Sequence, residues 1–137
     1  ARFDGADLSG ARVTADLAGA QLAGAKLNGA NLGADMTNQS MGLMRALLPS
    51  AKLDGADLSG ADLSRVDLKF ATLKQANLTG TNLAGAQLAG ADLTGATVTG
   101  TVFTRTDVNG ARLADLVGEA QAVDLDTAVN LSRAYRN

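Results

Sequence analysis

From Ala51 to Leu113 a large apolar residue stands at every fifth position without a slip: Leu53, Leu58, Leu63, Leu68, Leu73, Leu78, Leu83, Leu88, Leu93, Val98, Phe103, Val108 and Leu113. Two places before each centre is a small residue, alanine in most repeats and Val66, Thr81, Thr101 or Thr106 in the others. Residues two apart in an extended chain share a face, so the small and the large residue point inward and the mostly polar residue between them points out. The remaining two places must turn a corner. The last is usually glycine, which accepts positive φ without steric cost. A period of five fits neither a helix nor a plain strand for long, and collagen would need glycine at every third place. Four short faces and four corners close a square coil of about twenty residues, and coils stack about 4.8 Å apart through backbone hydrogen bonds.

The pattern extends upstream with interruptions. Centres at Phe3, Leu8 and Val13 are followed at a spacing of four by Leu17, then Leu22, Leu27 and Leu32 at five, then Met36 at four again. The two short corners are expected to stack on one another. Read backward from Leu53, the register predicts centres at Leu48 and Leu43, leaving a small bulged loop near residues 37–40. A short helix over Met41–Leu48, ended by Pro49, is the alternative. After Leu113 the period fails. Asp126 can N-cap a helix carrying Ala128, Val129, Leu131, Ala134 and Tyr135, with Arg133 and Arg136 in its last turn, and a shorter turn or helix fits around Val117–Val123. A solenoid needs its terminal coil covered, so residues 117–137 are expected to form a short α-helical C-terminal cap.

The string A-(D/N)-L-x-x, as in ADLSG at 56–60 and ANLTG at 76–80, resembles the pentapeptide repeat family. The resemblance covers about 1–116 and implies a right-handed quadrilateral β-helix, here an all-β solenoid of about six coils. It also implies a tendency to bind partners, and no common chemistry.

Composition narrows the function. The chain is 46% hydrophobic but only 3% aromatic, which predicts a thin core of leucine and alanine. With 14 acids against 12 bases the net charge is -2, which supports neither a nucleic-acid-binding face nor a strongly acidic tail. No apolar run reaches the length of a membrane span. There is no cysteine, so the redox compartment and localisation stay open. The chain begins in mid-repeat at Ala1, which reads as a trimmed or processed product.

Catalysis finds little footing. Without histidine or cysteine no nucleophile has its usual base, and Asp57 and Asp62 fall on successive faces of a convex rod where water is not excluded. Met36, Met41 and Met44 suit core filling better than a thioether metal site. No enzyme activity, cofactor or metal is therefore expected. Inner columns are predicted at Leu53–Leu73–Leu93–Leu113 and Leu63–Leu83–Phe103. Thr81 and Thr101 should share a column and bond each other or the backbone. Outer ladders Asp67–Gln87–Asp107 and Lys52–Thr72–Asp92–Arg112 keep like charges off adjacent rungs.

The leading functional expectation is a non-enzymatic structural or protein–protein interaction module, as a monomer or a weak end-to-end dimer. The alternative comes from the resemblance: some family members resemble duplex DNA and bind type II topoisomerases such as gyrase, giving quinolone protection. One surface stands out. Three successive corners lack glycine and read Arg65, Phe70 and Gln75, accompanied by Lys69 and Lys74, and Arg45 and Arg105 fall in the corner column of Arg65. Arg45, Arg65, Lys69, Phe70, Lys74 and Arg105 are the candidate partner surface.

Overall fold

The computed structural model describes residues 2–33 and 45–136. The chain forms a right-handed quadrilateral β-helix whose rungs are single residues joined by parallel bridges. Face 1 stacks Arg2, Gln21, Lys52, Thr72, Asp92, Arg112 and Tyr135. Face 2 stacks Asp7, Lys26, Asp57, Asn77, Thr97 and Val117. On face 3 the column is Arg12, Asn31, Asp62, Asn82, Val102 and Val123, and on face 4 it is Asp16, Leu47, Asp67, Gln87, Asp107 and Val129. Both expected outer ladders are among these columns. A rung both donates to and accepts from the coil below: Thr72 N–H donates to the Ala51 carbonyl at 3.0 Å, and its own carbonyl accepts from Leu53 N–H at 2.7 Å.

The interior is a stack of leucine and alanine, with Val98, Phe103 and Val108 replacing leucine towards the C-terminus, all at most 1% exposed. Thr81, Thr101 and Thr106 take the small inward place of alanine and are fully buried. Their hydroxyls donate one coil down, to the carbonyls of Leu58 (2.6 Å), Leu78 (2.5 Å) and Leu83 (2.6 Å). Those carbonyls already accept the turn N–H groups of Ala61, Thr81 and Ala86. A second lone pair thus satisfies a buried hydroxyl, which would otherwise destabilise the core. Thr81 and Thr101 bond the backbone and not each other.

Outward rungs carry a second device. Asp57 Oδ1 accepts both the Ser59 hydroxyl (2.6 Å) and the Ser59 N–H (3.0 Å), fastening the rung to its own corner. Asp7 with Ser9, Asp62 with Ser64, Asn77 with Thr79 and Asp92 with Thr94 repeat it. The serine hydroxyl, then the serine N–H, holds the carboxyls of Asp7 and Asp57 below their ordinary value. A carboxyl lowered in the folded state stabilises above the unfolded value of about 3.9 and loses that contribution as pH falls through the folded value. Ser59→Ala is therefore expected to lower the urea midpoint modestly at pH 7 and to differ less from the parent near pH 3. An equal difference at both pH values would rule the device out.

Two expectations are corrected. The ladder passes from Asn31 directly to Leu47, and Ala46 N–H donates to the Leu32 carbonyl at 3.0 Å, as Ala51 does to Leu48 at an ordinary corner. Asn31 on face 3 and Leu47 on face 4 are thus rungs of successive faces, and Leu22, not Leu32, lies one coil below Leu53. Met36, Leu43 and the bulge at 37–40 lie outside the described residues. The alternative helix fails at its C-terminal end, because Leu47 is a rung and Pro49–Ser50 turn the next corner. The short corner between Arg12 and Asp16 lies on the edge between faces 3 and 4, and the second expected short corner, at Met36, lies outside the described residues.

The tail is not α-helical. Val117, Val123, Val129 and Tyr135 continue the four faces as one more coil, now with six residues per side. Its corners are short 3-10 turns at Glu119–Gln121, Leu125–Thr127 and Leu131–Arg133. Each turn is preceded by a left-handed residue, Gly118, Asp124 or Asn130, which stops any helix from propagating. Asp126 lies inside a turn and makes no N-cap. Leu116, Ala122, Leu125, Ala128, Leu131 and Ala134 pack inward on the core, so the segment covers the coil beneath it.

Candidate partner surface

Corner geometry dictates which side chains project. The corner residue sits at positive φ, glycine in most coils, but Ser50, Arg65, Phe70, Gln75 and Arg105 hold the same conformation at φ 56–63. For a residue with a Cβ this costs about 1–2 kcal/mol. The side chains of Arg65, Phe70 and Gln75 lean over the glycine one coil up. A Cβ placed on Gly85 would lie 3.1 Å from Arg65 Cγ, one on Gly90 would lie 2.5 Å from Phe70 Cδ1, and one on Gly95 would lie 3.2 Å from Gln75 Cγ. One side of the Phe70 ring thus rests on Gly90, while the residue stays 66% exposed.

The contact is testable. Gly110→Ala meets nothing nearer than 4.0 Å and should lose only the left-handed preference, about 1–2 kcal/mol. Gly90→Ala should cost about 1 kcal/mol more, because the ring must move, and the excess should vanish in a Phe70→Gly background. Equal costs in urea melts of the two glycine variants would show that the ring does not rest there.

The six candidate residues do not form one patch. Arg45, Arg65 and Arg105 precede rungs Leu47, Asp67 and Asp107 of face 4, so they share the edge between faces 3 and 4. Lys69 and Phe70 lie on the next edge, between faces 4 and 1, and Lys74 lies beyond it at the far side of face 1. Lys69 Nζ is 3.9 Å from Asp67 and Lys74 Nζ is 3.9 Å from Asp92, both exposed pairs worth little. The Lys74 N–H also donates to Asp54 Oδ1 at 2.9 Å, one coil down. Arg45 is half-buried, and Arg65 and Arg105 are exposed. Face 4, bounded by the arginine edge and the Phe70 edge, is therefore the side on which most of the candidates meet.

A feature absent from the sequence reading is the belt of the last coil, where Val117, Val123, Val129 and Tyr135 all point outward and are 44–65% exposed. The signal was present as valine or tyrosine every sixth residue, with alanine before Val123, Val129 and Tyr135. β-Branched and aromatic residues favour the extended backbone, which a coil paired on one side most needs. In the same coil an open pocket of about 400 Å³ is lined by Ala122, Leu125, Asp126 and Leu131, together with the Glu119–Arg136 ion pair. No group of His, Cys, Asp or Glu among the described residues is placed to hold a metal. Nor is any helix among them long and apolar enough to cross a membrane.

Comparison with known proteins agrees with this geometry. No curated protein is matched by the chain. Among solved structures, QnrB1, a plasmid-mediated fluoroquinolone resistance protein, aligns with a TM-score of 0.63 at 22% identity, covering 96% of this chain and 60% of that one. The Rfr23 protein of the cyanobacterium Cyanothece 51142 aligns at 0.48 and 28% identity, over 85% and 60% of the two chains. HetL of Nostoc sp. strain PCC 7120, involved in heterocyst differentiation regulation, aligns at 0.43 and 33% identity, over 90% and 61%. The chain thus spans about three fifths of these proteins. The family profile for pentapeptide repeats matches eight copies, at residues 15–38, 43–80 and 81–115. With more than half its length matched and four-faced coils built on that repeat, the chain belongs to the pentapeptide repeat family.

Proposed function

We propose that this chain is a non-enzymatic protein-binding rod that engages its partner with face 4 and the two edges bounding it. The observation that carries the reading is Phe70. A glycine would hold its left-handed corner more easily, yet an aromatic residue stands there, two-thirds exposed, beside Lys69 and across face 4 from the edge of Arg65. Aromatic and arginine side chains are favoured anchors in interfaces, and the rigid coil presents them at low entropic cost. Between Leu47 and Val129, face 4 carries Asp67, Gln87 and Asp107, a polar rim of the kind that surrounds such anchors.

The test replaces Arg45, Arg65, Phe70 and Arg105 together with glycine or serine and compares thermal melts and captured proteins with the parent. Loss of a specific partner at unchanged stability is expected. Retention of every partner would refute the reading. The likeness to QnrB1, at 22% identity, speaks for the fold alone. Mimicry of duplex DNA needs dense negative charge, about one per 1.7 Å of axis, and Arg2, Lys26, Lys52, Arg65, Lys74, Arg105 and Arg112 interrupt it along this rod. Added to a gyrase supercoiling assay, the protein is expected to change neither activity nor drug sensitivity.

A further inference from the structure

The last coil is built differently from those beneath it, and the difference leaves room. In the coil below, the residue after each rung is large, apolar and turned into the core: Val98, Phe103, Val108 and Leu113 follow Thr97, Val102, Asp107 and Arg112. After rungs Val117, Val123, Val129 and Tyr135 the same places hold Gly118, Asp124, Asn130 and Arg136. None of them supplies an inward apolar side chain. The Asp124 carboxylate accepts the Thr104 hydroxyl at 2.6 Å, the Asn130 amide donates to Asp107 Oδ1 at 3.0 Å, and Arg136 pairs with Glu119. Leu125 and Leu131 come one residue later, at the turns, and with Ala122 they give the open pocket of about 400 Å³ its apolar floor.

We propose that this pocket binds a small organic cation, a protonated amine carried on a short apolar body. The floor takes the body. Charge selects the group above it, because the lining holds two carboxylates, Glu119 and Asp126, against the single guanidinium of Arg136. Arg136 is engaged by Glu119, whereas Asp126 has no partner among the described residues. An ammonium group donates to a free carboxylate in a charge-assisted bond, and an apolar floor beside the pair weakens screening by water. An acidic ligand would meet more negative charge than positive. The volume stands near the lower end of small-molecule sites, about 300–1,000 Å³, so a single ring or a short chain is the size that fits. The site is independent of the protein-binding reading, since Arg65, Phe70 and Arg105 take no part in it.

The experiment titrates the full chain with phenethylamine, with phenylethanol as its neutral counterpart and with phenylacetate as an acid, and follows the backbone amide signals of Ala122, Leu125 and Leu131 by NMR. Asp126→Asn removes the free charge at nearly constant shape. Asp126 makes no hydrogen bond among the described residues, so this variant should fold, and a thermal melt verifies it. Asp16→Asn, at the far end of the rod, is the control for net charge, because an amide oxygen can still accept the Ala18 N–H that Asp16 Oδ1 holds at 3.1 Å. The amine is expected to bind the parent and Asp16→Asn alike and Asp126→Asn about tenfold more weakly, with phenylethanol weak and equal on all three and phenylacetate weaker still. Any of four results would overturn the proposal: no amine-dependent shift at those three amides, phenylethanol binding as tightly as the amine, an equal loss in Asp16→Asn, or preference for phenylacetate.

Discussion

Replacing Phe103 with alanine is expected to cost the rod about 3–5 kcal/mol, at the upper end for a core truncation. Phe103 is fully buried in the column above Leu63 and Leu83. In a globular core neighbouring elements can settle into the space left behind. Here they are held at fixed separation by the ladder: Leu83 N–H bonds the Val102 carbonyl at 2.9 Å, and Phe103 N–H bonds the Val123 carbonyl at 2.8 Å. Collapse would break those bonds, so the cavity persists. Phe103→Leu should by contrast cost less than about 1.5 kcal/mol, because leucine fills the same site in the two coils below. Urea unfolding of the two variants decides the matter, and a Phe103→Ala loss under 1 kcal/mol would show that the coils are not rigidly spaced.

What was legible in the sequence follows from the same rigidity. A rung every five residues leaves one inward pair, one outward residue and one corner, so Leu53 to Leu113 could be placed without knowing any neighbour. The helical reading of the tail failed because Ala128, Val129, Leu131, Ala134 and Tyr135 fit a 3.6-residue stripe while also fitting a coil of six-residue sides. The left-handed tolerance of Gly118, Asp124 and Asn130 was the deciding signal. Between the Asn31 and Leu47 rungs the count of five-residue steps misplaced the register, which put Leu32 and not Leu22 one coil below Leu53. The candidate surface was legible as the positions that break the glycine rule. Which way those side chains lean was not, because that depends on Gly85, Gly90 and Gly95, each twenty residues further on. Reading corner residues in pairs at that separation would have found it.

The repeat also separates stability from recognition. Inward places tolerate little, whereas outward rungs and corners are bounded only by the need to avoid stacking like charges, so a partner surface can be written on them without disturbing the core. Arg65, Phe70 and Gln75 cost some backbone energy and return part of it by covering glycine.

Removal of residues 117–137 is expected to lower stability by about 5 kcal/mol or more, a large share of what a small domain holds. The segment supplies a whole interface between coils. Val98, Phe103, Val108 and Leu113, each at most 1% exposed, would lose their upper covering of Leu116, Ala122, Leu125, Leu131 and Ala134. Ten ladder and corner bonds would go with it, six from the N–H groups of Val98, Gly100, Phe103, Val108, Gly110 and Leu113 and four from those of Val117, Val123, Val129 and Tyr135. The coil then left at the end carries Asp107 and Arg112 on two of its outward rungs, which favour an extended edge less than Val129 and Tyr135 do. That newly bared edge, apolar inside and unpaired along its backbone, is a template for another chain. Light scattering should therefore show aggregation or pairing of the truncated rod, alongside a lower melting temperature. Changing Val117, Val123 and Val129 to threonine instead keeps β-branching while removing the apolar belt, and should leave both stability and monomer content nearly unchanged. A truncated chain that stays monomeric and as stable as the parent would show that the last coil is an appendage and that the coil of Phe103 needs no cover.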